Sequence, residues 1–186
     1  IFSLKHIQDV SVIKEEVNEF VGAKSGAAAA PFDPKLPEQP KQALFRIEAY
    51  DNAHTAGTHF VGVMTVLENS VLKKADYRMF KIRVASGGDD IGALREVLRR
   101  RLAHAEWTYP NIIVIDGGKA QKQAAEEVLK ELNFDIEVVS VVKDNRHRPH
   151  HMLGNSDIAE RYKKEILLLN NEAHRFAIKY HRNSRG

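Results

Sequence analysis

Two aspartates stand where chemistry is easiest to build. Phe45, Ile47, Ala49 and Asp51 share one face of a strand by period-two alternation, which predicts a strand ending in a carboxylate. The continuous apolar run Ile112, Ile113, Val114, Ile115 predicts a fully buried central strand that stops at Asp116. If both strands lie in the middle of one sheet, the two carboxylates come together although they are far apart in sequence. Such a pair repels itself unless something positive lies between. The simplest occupant is Mg2+ or Mn2+, a hard ion that prefers oxygen ligands and keeps several waters. Either aspartate alone is equally at home as a turn former before glycine; the pairing argues for more. Metal-assisted hydrolysis also needs a phosphate held against positive charge. Gly117 and Gly118 let backbone approach a phosphate closely, and Lys119 adds charge at the start of the next helix. The same glycines also suit an ordinary strand-to-helix turn.

Other residue types narrow the options. There is no cysteine, so disulfides and thiolate metal sites are excluded. His147, His150 and His151 lack a convincing fourth ligand for zinc and fit better in a polar loop. Net charge is only +3, but basic residues cluster at Arg99 to Arg101 and at Arg146 to His151, as either phosphate-binding patches or solvated faces. No apolar run approaches the roughly 20 residues that cross a bilayer, so no membrane partner is expected, and the absence of cysteine suits a cytoplasmic setting. The sequence opens on Ile1 without a signal segment and reads as a piece of something longer.

The elements that must position these residues follow from periodicity. Residues 1–22 form a helical lead-in, and 23–42, with Pro31, Pro34, Pro37 and Pro40, form a linker. Residues 43–186 carry the compact domain. A second strand from about His59 to Leu67 and a third from about Leu72 to Ile82 are joined by a turn at Glu68 to Ser70 and lie antiparallel to the first. Asp90 to His104 has Leu94, Val97, Leu98 and Leu102 at helical spacing, with arginines on the other faces. After Asp116, a helix over Lys119 to Leu132 and a strand over Ile136 to Val142 complete a β-α-β unit with parallel strands. A polar loop covers Lys143 to Asn155, and Arg161 to His181 is a closing helix. The outcome is a mixed α/β sheet with flanking helices, an order that fits a ribonuclease-H-like fold.

Specific stretches then point further. Tyr50-Asp51-Asn52-Ala53-His54-Thr55-Ala56-Gly57-Thr58 resembles the Asp-x-Ser-His-x-x-Gly-Thr motif of the UvrC nuclease domain. In the same order come Tyr77 to Phe80, Gly88-Asp89-Asp90, Arg95 to Leu98, Asp116-Gly117-Gly118-Lys119 with Gln121, and Asn171 to Ile178 with Tyr180-His181-Arg182. The chain departs from that pattern at Ala53, where serine is usual, at Ala120, where glycine is common, and at Asn170-Asn171 in place of Arg-Asp.

The resemblance implies a ribonuclease-H-like fold and an Asp-Asp-His metal set, here Asp51, Asp116 and His174, with Asp90 as a further acidic residue and Asp89 as the weaker choice for it. On the closing helix, His174 could join the two carboxylates or orient a reacting water. Arg175 and Arg182, seven apart, share a helix face and could track a DNA strand alongside Lys119. The implied activity is the 5′ incision beside a lesion in nucleotide excision repair. The implied partners are damaged double-stranded DNA and UvrB, with UvrA upstream. Competing expectations are a non-catalytic DNA-binding module and another nuclease of the same fold, such as a resolvase or transposase.

Overall fold

The computed structural model describes residues 44–55, 59–85, 88–143 and 149–183. The expected lead-in helix and proline-rich linker lie outside them. Strand β1 (Arg46–Thr55) runs beside β2 (His59–Glu68), followed by β3 (Val71–Leu72) and β4 (Arg78–Lys81). Helix α1 (Asp90–Leu102), strand β5 (Ile112–Asp116), helix α2 (Lys119–Glu131) and strand β6 (Glu137–Lys143) come next. Strand β7 (Pro149–Leu153) and helices α3 (Ser156–Arg161) and α4 (Lys163–Asn183) close the domain. The sheet has seven strands in the order β3-β2-β1-β5-β6-β7, with β4 also paired to β2.

Side-chain parity along the central strands builds two cores. Ile112 and Val114 of β5 join Ile47 and Ala49 of β1 beneath Ile166, Leu169 and Ala173 of α4. Ile113 and Ile115 face the other way, against Leu94 and Leu98 of α1 and Val128 and Leu129 of α2. With both faces covered, β5 tolerates no polar residue until its last position, which is why its run is uninterrupted. Strand β2 approaches α1 closely: a Cβ added at Gly62 would stand 2.4 Å from Val97 Cγ2.

The mixed sheet is as expected, with four local corrections. β1 does not end at Asp51 but continues to Thr55, because β2 keeps pairing with it as far as His59. The expected third strand is broken into β3 and β4 by a 3-10 turn at Lys74–Asp76, and both pieces pair with β2, not β1. Its turn is made by Asn69 and Ser70 at φ 47° and 64°, a left-handed pair that matches the twist of the strands it joins. The expected loop after Lys143 contains β7, held by antiparallel pairing to β6. Finally, a short unexpected helix, α3, ending at Tyr162 with φ −108° and ψ 20°, precedes the closing helix, which is one helix, α4, as expected.

Charge is also buried under β1. Glu48, with no exposed surface, accepts from Arg46 Nε at 2.8 Å, from Arg101 Nε and Nη2 at 3.0 and 2.9 Å, and from the Tyr50 hydroxyl at 2.7 Å. Burial, then the Glu48 charge, pushes the Tyr50 phenol far above its ordinary range. The expectation that the arginines of α1 lie on its outer faces therefore fails at Arg101, which is fully buried. Arg99 is engaged by Glu131 at 2.7 Å, Arg100 by Glu96 at 3.1 Å, and Arg95 by Glu127. The other arginines of α1 thus each face a glutamate, two of them on α2.

Candidate active site

Three neighbouring strands deliver charge to one edge of the sheet. β1, β5 and β6 run parallel in register, with Tyr50 opposite Ile115 and Asp116 opposite Val141. The next step along β1 and β5 sets Asp51 beside Asp116, on the face that packs against α4. There α4 contributes His174, one residue beyond the buried Ala173. One ligand atom from each of Asp51, Asp116 and His174 lies within 4.8 Å of the others. His174 Nδ1 is 3.1 Å from Asp51 Oδ2. The two aspartates are largely covered, whereas the His174 side chain is 54% exposed.

The electrostatics are those of two crowded carboxylates facing one ammonium and one imidazole. Burial, followed by the neighbouring Asp116 charge, holds the Asp51 carboxyl above its ordinary range, against the opposing pull of His174 and Lys143. The Lys143 ammonium meets the strain by pairing with Asp116 Oδ2. An ammonium standing against a carboxylate pair that a cation would neutralise fits a divalent ion at Asp51, Asp116 and His174. The donor set of two carboxylates and one imidazole suits Mg2+, Mn2+ or a similar ion.

Polar groups around the pair fix its geometry. Asp51 Oδ1 accepts from the Asn52 amide at 2.8 Å, and the Asn52 side chain donates to the Asp90 carbonyl at 3.1 Å. Beyond Asp116, Gln121 Oε1 accepts from Gly118 N at 3.0 Å and closes the turn into α2. The turn is tight, since a Cβ at Gly117 would come within 2.9 Å of Gln121 Cγ. Tyr50, Asp51, Asn52, Asp90, Leu94, Ile115, Asp116 and Gln121 line one cleft.

The expected residues divide accordingly. Asp51, Asp116 and His174 come together; Asp90 lines the same cleft outside that group. Asp89 caps α1, its Oδ1 accepting from Gly92 N at 2.8 Å. Lys119 is exposed at the first turn of α2. Arg175 is engaged by Glu172 through two hydrogen bonds of 2.6 Å, and the Arg182 side chain lies outside the described residues. His150 and His151 sit on β7 with ring centroids 5.1 Å apart, and neither belongs to the metal-capable group among the described residues. Sequence reasoning gave Lys143 no role and met Asn52 and Gln121 only as members of the motifs. Period-two parity through Val139 and Val141 could have found Lys143, since it aims the strand's last residue at the same face as Asp116.

Comparisons with known proteins show which family the chain is similar to. Residues 37–178 match the family model described as the UvrC RNAse H endonuclease domain. The UvrABC system protein C of Clostridium botulinum (strain Hall) is 38% identical over 175 residues, covering 82% of this chain and 28% of that protein. That of Lachnospira eligens is 41% identical over 159 residues, covering 76% of this chain and 26% of that protein. The chain thus spans less than a third of the length of these curated relatives. Among solved structures, Endonuclease V of Ciona intestinalis aligns at 12% identity with a TM-score of 0.40, covering 66% of this chain and 55% of that one. Matched over most of its length, the chain belongs to the UvrC RNase H endonuclease domain family.

Proposed function

We propose that the chain is the part of a nucleotide excision repair nuclease that cuts the damaged strand on the 5′ side of a lesion, by divalent-metal-assisted hydrolysis. The observation that carries this reading is the meeting of Asp51, Asp116 and His174 at the edge of the sheet in a member of this family. These three would hold Mg2+ or Mn2+, with Asp90 as a further acidic group at the cleft wall. A divalent ion there supplies Lewis acidity and acidifies water near neutrality.

The chain's own residues do the rest. Asp51 and Asp116 are fixed by paired strands, so little reorganisation is needed when charge develops. His174, the most exposed of the three, can hold or pass a proton at a ring nitrogen. Lys119, exposed beside the glycine turn, meets the DNA backbone at the amino end of α2, where helix polarity favours anions. Arg175 on α4 is proposed as a further DNA contact, by exchanging Glu172 for phosphate, together with Arg182 seven residues later in the sequence. Damaged duplex DNA and UvrB, loaded by UvrA, are the partners this reading implies, and the cytoplasm is the setting. No helix among the described residues is long and apolar enough to cross a membrane. The domain is taken to begin near residue 43, after the linker.

The test uses a lesion-bearing duplex loaded with UvrB and labelled at the 5′ end. Mn2+-dependent nicking on the 5′ side should fall in Asp51→Asn, Asp116→Asn and His174→Ala by more than the roughly 10–100-fold that loss of an outer-shell partner causes. Undiminished nicking by folded Asp51→Asn overturns the assignment. DNA binding without any nicking by the parent chain would favour a binding module instead.

A further inference from the structure

Lys143 is the charged residue of the site that the three-ligand arrangement leaves unexplained. It is the last residue of β6, two positions beyond the partner of Asp116, and on the face that carries Asp51 and Asp116. The pairing of β6 with β7 shifts register between Val142 and Lys143, so that one extra residue of β7 is accommodated there. The irregularity lies on β7 and leaves Lys143 on the parity of Val139 and Val141. The Lys143 side chain is 20% exposed and its ammonium pairs with Asp116 Oδ2, the oxygen-rich edge where a divalent ion would sit.

Resting on the metal-nuclease reading above, we propose that Lys143 is a resident counter-cation of the ion site. It holds Asp116 while no divalent ion is bound, and it gives up that carboxylate for a phosphate oxygen of the DNA when one arrives. The reasoning is electrostatic. Asp51 and Asp116 repel each other, and a tethered ammonium relieves part of that repulsion without closing the site. A divalent cation bound to the same carboxylates is a like charge to the ammonium and displaces it. The long, flexible lysine stem, starting at a strand end beside the cleft, lets the head group move a few ångströms to an incoming phosphate. Lys143 is thus a positioning residue for the ion and a phosphate contact for the substrate.

A purely structural ion pair predicts the opposite sign for ion binding, which makes the idea testable. Mn2+ alone is titrated calorimetrically into the full chain as wild type, Lys143→Met, Lys143→Gln and Lys143→Arg, with circular dichroism to check folding. Loss of the competing charge should tighten Mn2+ binding by about tenfold in the Met and Gln variants, while Arg stays near wild type. At saturating Mn2+, single-turnover nicking should fall about tenfold or more in Lys143→Met and be largely kept in Lys143→Arg. Unchanged or weaker Mn2+ binding in both neutral variants overturns the proposal, as does full nicking by Lys143→Met. A wild type that binds Mn2+ through Asp51 and never cuts refutes the nuclease reading instead, and the titration alone then decides whether Lys143 is the counter-cation.

Discussion

Glu48→Gln should be among the most damaging single substitutions in this domain, although it lies outside the cleft. Glu48 is fully buried and is the shared acceptor for Arg46, Arg101 and Tyr50. Arg46 would keep Glu68 and Asp76, each at 2.6 Å. Arg101 would keep its hydrogen bond to the Thr108 carbonyl at 2.6 Å and its stacking over Trp107 and Tyr109, at 5.4 and 5.6 Å, but would face a neutral side chain with one acceptor oxygen in place of the carboxylate. Its Nη1 already has no partner. The cost is therefore that of one buried guanidinium stripped of its carboxylate, about 3–5 kcal/mol. Against the roughly 5–15 kcal/mol of a typical domain, that lowers the melting midpoint by roughly 10 °C. Urea denaturation followed by circular dichroism measures it, with the slope of the transition checked for constancy. Below its melting point the variant should still nick, because Glu48 points away from the face that carries Asp51. A loss under about 1 kcal/mol would refute the reasoning, showing that Arg101 does not depend on Glu48 to remain buried.

Two other outcomes follow from the same structure. Metal-free Asp51→Asn should melt above wild type at neutral pH: a carboxyl raised in the folded state contributes stability that is present below its unfolded range and lost as pH rises through the folded one. The advantage should vanish at acid pH, where the wild-type group is protonated, and Mn2+ should stabilise only the wild type; equal melting at neutral pH contradicts this. Asn170 is 1% exposed with neither amide atom hydrogen bonded, so Asn170→Leu should raise stability by about 1–2 kcal/mol in urea melts, and a loss would indicate an unseen partner.

Which parts were legible in the sequence depended on whether the signal was local. Ile112 to Asp116 announced itself because both faces of β5 are buried, and the parity of Ile47, Ala49 and Asp51 aimed Asp51 correctly. The extent of β1 was not legible, since residues past Asp51 are strand only because β2 pairs with them. β7 was hidden for a similar reason: Pro149 and two histidines give a weak strand signal, and the edge forms on the ladder of β6. Arg101 looked like the outermost of three solvated arginines; its burial depends on Glu48, 53 residues earlier. A glutamate between Arg46 and Tyr50 on the inward parity of β1 was the available clue. His174 could be placed on a helix by periodicity, but its role came from the family resemblance, and its meeting with Asp51 is a tertiary fact.

Anomalous diffraction from crystals soaked in Mn2+ would test the centre of this account most directly. The expected result is a peak in the cleft within about 2.0–2.3 Å of an oxygen of Asp51, an oxygen of Asp116 and a ring nitrogen of His174, with Lys143 withdrawn from Asp116. An ion bound elsewhere, with the three side chains unmoved and Lys143 still on Asp116, would contradict it.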